Sequence, residues 1–172
     1  MKQHIILLRG VNVGGKNRLS MKELRTELEK AGFEKVQTYI QSGNIILAGS
    51  GDIETRVAAI INTHFGFKPA MQVLDETEFE QALSDNPYAE QEGKQVHFFF
   101  CKTPPRVNKE KLTRFASESE RFEWTDNVFY LYAPEGIGRS KLVKNIDACL
   151  GTSSTARNLN TVKKIHHLLT SG

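Results

Sequence analysis

Residues 36–48 read VQTYIQSGNIILA. Two runs rich in β-branched and apolar residues, VQTYI (36–40) and NIILA (44–48), flank the three residues QSG. So short a link leaves no room for a crossover helix. The two strands must therefore be antiparallel neighbours joined as a hairpin. Working upstream, HIILLR (4–9) reads as a buried strand. Ser20 with Glu23 makes a capping box, with Leu19 and Leu24 placed as a hydrophobic staple. Met21, Leu24, Leu28 and Ala31 then fall on one helical stripe that Gly32 stops. Downstream, Asp52 caps a helix running to about Phe65, and Ala70–Leu74 is a fourth strand. Residues 1–75 thus read β-α-β-β-α-β.

Residues 76–172 repeat the order of elements without repeating the residues. A short acidic helix (75–83) and the loop SDNPYAEQEGK lead into the strand VHFFFC (96–101). Asn108 caps a helix carrying Leu112, Phe115 and Ala116. RFEWT and VFYLYA are strands joined at Asp126–Asn127, and one helix follows with the stripe Leu142, Val143, Ile146, Cys149 and Leu150. A last helix, from about Asn158, carries Leu159, Val162, Ile165 and Leu169. The expectation is an α+β fold of two ferredoxin-like, split β-α-β halves packed together. The first is a β-α-β-β-α-β subdomain over 1–75. The second is a β-α-β-β-α subdomain over 76–172, with a C-terminal helical extension.

The chain has 172 residues, enough for one good core or two small ones, and its 39% apolar and 25% charged residues are ordinary for a soluble protein. No apolar run reaches the ~20 residues that span a bilayer, and the opening apolar stretch is too short for a signal peptide. Cys101 and Cys149 stand in no metal or redox spacing, so the expected setting is a reducing cytoplasm, with both thiols buried and no metal site. Charge is unevenly spread. Residues 1–35 carry eight Lys/Arg against four Glu, 36–137 carry nine against fifteen acids, and 138–172 carry six against one. Two basic ends flank an acidic middle, a distribution suited to an anionic partner.

RGVNVGGKN (9–17) matches the phosphate-binding loop G-x-x-x-x-G-K-[ST] except at Asn17. Three points oppose that reading. The capping box starts the helix at Ser20, one turn too late for its amides to face a phosphate. Asn17 replaces the hydroxyl that binds Mg²⁺. The hairpin also breaks the required parallel order. The loop can still bind an anion: its glycines free backbone amides to face inward, and Lys16 and Arg18 can close over a phosphate or carboxylate. Two further loops resemble it. GIGRSK places Arg139, Ser140 and Lys141 at a helix start, and TSSTARNLN places Arg157 and Asn158 at another. Cations there oppose the helix dipole, a cost that an anion would offset.

LRGVNVGGKNRLSMKELRTELEKAGF, TYIQSGNIIL and TARNLNTVKKI together resemble the signature segments of a bacterial family of unknown function, domain-of-unknown-function family 1697. The resemblance implies a small cytoplasmic α+β protein of ferredoxin-like character and implies no activity or cofactor. The positions matching its pattern are Arg9, Gly10, Asn12, Gly14, Gly15, Ser42, Gly43, Asn44, Arg157, Asn158 and Thr161, with Lys16 also fitting.

Other chemistries find less support. RNA-recognition folds stack bases on aromatics of strands one and three, and HIILLR and NIILA have none. Ser42 and Ser140 lack a histidine at nucleophile spacing, so no residue announces a reaction. The leading expectation is a site for a phosphorylated or otherwise anionic small ligand. Its residues would be Arg9, Asn12, Gly14, Gly15, Lys16, Ser42, Asn44, Arg139, Lys141, Arg157 and Asn158, with the cations neutralising charge and Asn12, Asn44 and Asn158 orienting the ligand. The alternatives are a nucleic-acid-binding module that uses the same cations as a phosphate track, and a protein-interaction domain without a ligand. No membrane partner is expected, and the cofactor and oligomeric state stay open.

Overall fold

The structure is a computed structural model and describes residues 1–171. The first strand, β1 (Gln3–Arg9), is followed by helix α1 (Met21–Lys30), strands β2 (Glu34–Tyr39) and β3 (Asn44–Ala48), helix α2 (Ile53–Phe65), strand β4 (Ala70–Asp75) and helix α3 (Glu76–Ser84). The four strands form one antiparallel sheet in the order β2-β3-β1-β4. This is the ferredoxin-like order expected of a split β-α-β unit. The hairpin is the reason: β3 takes the place beside β1, and β2 is pushed to the edge. Ser20 Oγ accepts from Glu23 N–H at 3.2 Å, and Asp52 Oδ1 accepts from Thr55 N–H at 3.1 Å, so both helices begin where their caps place them. Ile6, Leu8, Ile45 and Leu47 meet Leu24, Leu28, Val57 and Ile61 in a core between sheet and helices. Each fully buried side chain of this kind contributes about 1.5–3 kcal/mol.

The second sheet repeats the order. It holds β5 (Val96–Cys101), β6 (Arg121–Trp124), β7 (Val128–Tyr132) and β8 (Ser154–Asn158), arranged β6-β7-β5-β8 and antiparallel throughout. Helix α4 (Lys109–Phe115) lies between β5 and β6 in sequence, and α5 (Lys141–Lys144) and α6 (Ile146–Leu150) between β7 and β8. Phe99, Phe129, Leu131, Leu112, Leu142 and Cys149 form its core. The chain ends with α7 (Leu159–Ser171). The two compact units are residues 1–81 with the chain from Lys164 onward, and Ala82–Lys163. Among the described residues, no helix is long and apolar enough to cross a membrane.

Three local readings change. STARN (154–158) is not a loop leading to a helix but strand β8, paired with β5 from Ser154↔Cys101 to Asn158↔His97. Its hydroxyls and charge hid a strand that sits at the sheet edge, where polar residues are tolerated. The single helix expected over 141–150 is two, broken at Asn145, whose Nδ2 donates to Lys141 O at 2.8 Å. The first hairpin strand ends at Tyr39, and Ile40 takes φ +49°, a left-handed conformation that strains a β-branched residue. Cys101 and Cys149 are buried free thiols, and burial raises the Cys101 thiol to about 11.

Candidate anion-binding site

Between β1 and α1 the chain forms a small finger. Lys16 N–H donates to Val13 O at 3.0 Å, and Gly14 and Gly15, at φ +59° and +75°, turn the chain between them. Positive φ at both central residues is what a tight type I′ hairpin turn demands, and glycine supplies it without steric cost. The glycines therefore form an exposed tip rather than an inward-facing cradle. Among the described residues, neither the Gly14 nor the Gly15 N–H has a protein acceptor. At the base, Asn12 N–H donates to Asn17 O at 3.1 Å and Asn17 Nδ2 donates to Gly10 O at 3.2 Å.

Asn12 fixes this finger to its surroundings. Its Oδ1 accepts from Leu19 N–H at 2.8 Å, while its Nδ2 donates to Leu19 O at 3.0 Å and to Gln41 O at 2.8 Å. The last bond ties the base of the finger to the β2–β3 turn. The turn is pinned as well. Leu8 N–H donates to Gly43 O at 2.8 Å, and a Cβ on Gly43 would lie 2.8 Å from Leu8 Cβ. Asn44 is buried, and its Nδ2 donates to Tyr39 O at 2.9 Å and to Ser42 Oγ at 3.1 Å.

An open cleft of about 430 Å³ lies beside the finger, lined by Asn12, Gly15, Arg18, Leu19, Ser20 and Gln41. The Arg18 guanidinium passes 3.8 Å from where a Gly15 Cβ would stand. Lys16 and Arg18 are exposed, and neither forms an ion pair among the described residues. Arg9, also exposed, ends β1.

The remaining candidates belong to the second unit. Arg139 and Lys141 flank Ser140, which caps α5 by accepting from Val143 N–H at 3.1 Å. Both cations line a cavity of about 760 Å³. Arg157 and Asn158 are not part of that lining. They lie on β8, where Asn158 Oδ1 caps α7 by accepting from Thr161 N–H at 2.9 Å. Burial lowers the Arg157 guanidinium to about 10, still charged at neutral pH, and its Nη1 donates to Ala156 O at 2.8 Å. Asn12, Asn44 and Asn158, expected to orient a ligand, thus all hydrogen-bond to the protein's own backbone. Sequence reasoning missed Gln41, which receives Asn12, and Arg114, Ser117, Ser119, Glu120 and Glu135 around the cavity. No spacing rule pairs Glu120 with Ser140, twenty positions away.

A family profile described as "Protein of unknown function (DUF1697)" matches residues 1–130. The chain belongs to the DUF1697 family. The match takes in the whole first unit up to Gln81, including the finger and the β2–β3 turn. No curated protein matches the chain. Among solved structures, this DUF1697 protein is similar to the conserved bacterial protein SP0830 from Streptococcus pneumoniae. The two share 24% identity over 98% of each chain with a TM-score of 0.69, a likeness of fold.

Proposed function

We propose that this DUF1697 protein binds a phosphorylated or otherwise anionic small ligand at the finger of its first unit. One observation carries the reading: among the described residues Lys16 and Arg18 have no carboxylate partner, yet they stand on a loop that Asn12 ties to Leu19 and Gln41. Cations on a preorganised loop lose little entropy on meeting an anion, and the Gly14 and Gly15 amides add donors beside them. Lys16 supplies a point charge and Arg18 a forked donor suited to phosphate or carboxylate. Asn12 and Asn44 hold the frame.

A second reading is the phosphate backbone of a nucleic acid. The openness of the cleft beside these cations favours it. Thermal shift separates the two. A small phosphate at 100 times its Kd adds about 2.7 kcal/mol, or roughly 5–10 °C for a chain of this length. The proposal expects such a shift from a nucleotide or small phosphate, lost in Lys16→Ala and Arg18→Ala. A shift from oligonucleotides alone, fading steeply with salt, transfers the site to nucleic acid. No shift from any anion overturns both readings and leaves a protein-interaction domain.

A further inference from the structure

The second unit contains a cavity that the finger does not account for. One wall is the end of α4 and the chain that follows it, from Arg114 to Glu120, and the other is the segment from Glu135 to Lys141. Its volume, about 760 Å³, lies within the ~300–1,000 Å³ of small-molecule pockets.

Its polar groups include two buried ones, Glu120 and Ser140. Glu120 is only 7% exposed, and its carboxylate accepts from Ser117 N–H at 2.8 Å and from Ser140 Oγ at 2.6 Å. Among the described residues, no cation pairs with it. A carboxylate has about four lone-pair sites, so two neutral donors leave it with acceptor capacity to spare. Next to it runs a hydroxyl chain: Ser119 Oγ donates to Glu135 Oε2 at 2.6 Å, and Ser117 Oγ lies 3.2 Å from Ser119 Oγ. The cations, like Ser117 and Glu135, are exposed. Arg139 and Lys141 are exposed without an ion-pair partner among the described residues, whereas Arg114 is engaged by Glu110 at 3.1 Å. The fit is therefore to a molecule with hydroxyls at one end and an anion at the other. The serine protons are already given to Glu120, Glu135 and one another, so the carboxylates and serine oxygens still take donors, and each hydroxyl of a polyol supplies one.

We infer that this cavity is a binding site for a phosphorylated polyol, its hydroxyls on Glu120, Glu135 and the serines and its phosphate on Arg139 and Lys141. It is independent of the finger and lies in the other unit.

Gly138 provides a clean steric test. Gly138 lines the cavity, its φ lies outside the left-handed region and a Cβ there meets nothing within 4 Å, so a large side chain adds bulk at the cavity without backbone strain. Calorimetric titration of the full chain would use triose, pentose and hexose phosphates, with glucose, inorganic phosphate and glycine as comparisons. Saturable binding of at least one sugar phosphate is expected. It should weaken at least tenfold in an Arg139→Ala/Lys141→Ala double variant, vanish in Gly138→Trp with the melting temperature kept, and be unchanged in Lys16→Ala. Failure of every sugar phosphate to bind overturns the inference. So does binding that survives Gly138→Trp, tighter binding of glycine, or binding lost in Lys16→Ala, which would place the phosphate at the finger instead. Loss of finger binding in Lys16→Ala with cavity binding intact leaves the two proposals separately decided.

Discussion

Asn12 sits at φ +54° with its carboxamide shared between Leu19 and Gln41. Asparagine tolerates that backbone region, and its side chain matches the donor and acceptor of Leu19 at once. Alanine would lose both functions. Asn12→Ala should therefore lower stability by about 2–3 kcal/mol, from lost hydrogen bonds worth ~1 kcal/mol each plus left-handed strain. Urea denaturation measures this, and faster amide exchange at Leu19 would localise it. A loss below about 0.5 kcal/mol, the size of an ordinary surface change, would mean that the finger holds its shape without Asn12. His97 makes a second residue-level case. It is buried on β5 with Nε2 unpartnered among the described residues, and burial lowers its pKa. The unfolded state then takes up a proton near pH 6.5 while the folded state does not. Stability from this residue is complete above about pH 6.5 and falls as the pH drops toward the folded pKa, by up to ~1.4 kcal/mol per pH unit. His97→Phe should flatten that part of the pH–stability curve. An unchanged slope would assign it to other groups.

At the scale of elements, the β2–β3 turn is where a single atom decides the packing. Gly43 sits at φ +91°, and an added Cβ would meet Leu8 Cβ at 2.8 Å on the neighbouring strand. Gly43→Ala should cost about 2–4 kcal/mol, combining backbone strain with overpacking. Denaturation together with amide exchange on β1 and β3 would show it, and a neutral substitution would mean that the hairpin can lift off β1 freely. The same hairpin made the first sheet legible, because a three-residue link admits one pairing and the caps at Ser20 and Asp52 are local. Strand β8 was not legible. Thr155, Arg157 and Asn158 carry no alternation that marks a strand, and only the pairing with His97–Cys101, far earlier in the chain, makes it one. The break at Asn145 was hidden for a related reason: the apolar stripe runs through it unbroken, and only the side chain's bond back to Lys141 reveals the stop. For the candidate site, the sequence supplied candidate positions in loops, one of which, residues 154–158, is a strand. It could not tell that Asn12 and Asn44 would be engaged by their own backbone, because those bonds reach across the turn to Gln41 and Tyr39.

At the scale of the whole molecule, the first unit is discontinuous in sequence. It takes residues 1–81 from the start of the chain and the last part of α7, from Lys164, from its end. Within that unit Gln37 Nε2 donates to Leu168 O at 3.3 Å, and Ile165 and Leu169 are buried. Chain closure over so long a separation costs only slowly growing entropy, since each doubling of loop length adds about 0.6 kcal/mol. Burial of Ile165 and Leu169, at about 1.5–3 kcal/mol each, exceeds that increment. A chain ending at Lys163 should accordingly leave the first unit about 3–5 kcal/mol less stable, an upper estimate because the unfolded chain already buries part of this surface. The check is hydrogen exchange read separately on the two sheets. Protection should fall on β1, β2 and β3 well before it falls on β5 and β7. Equal loss on both sheets would show one cooperative unit in place of two, and no loss would show that residues 1–81 carry their own stability.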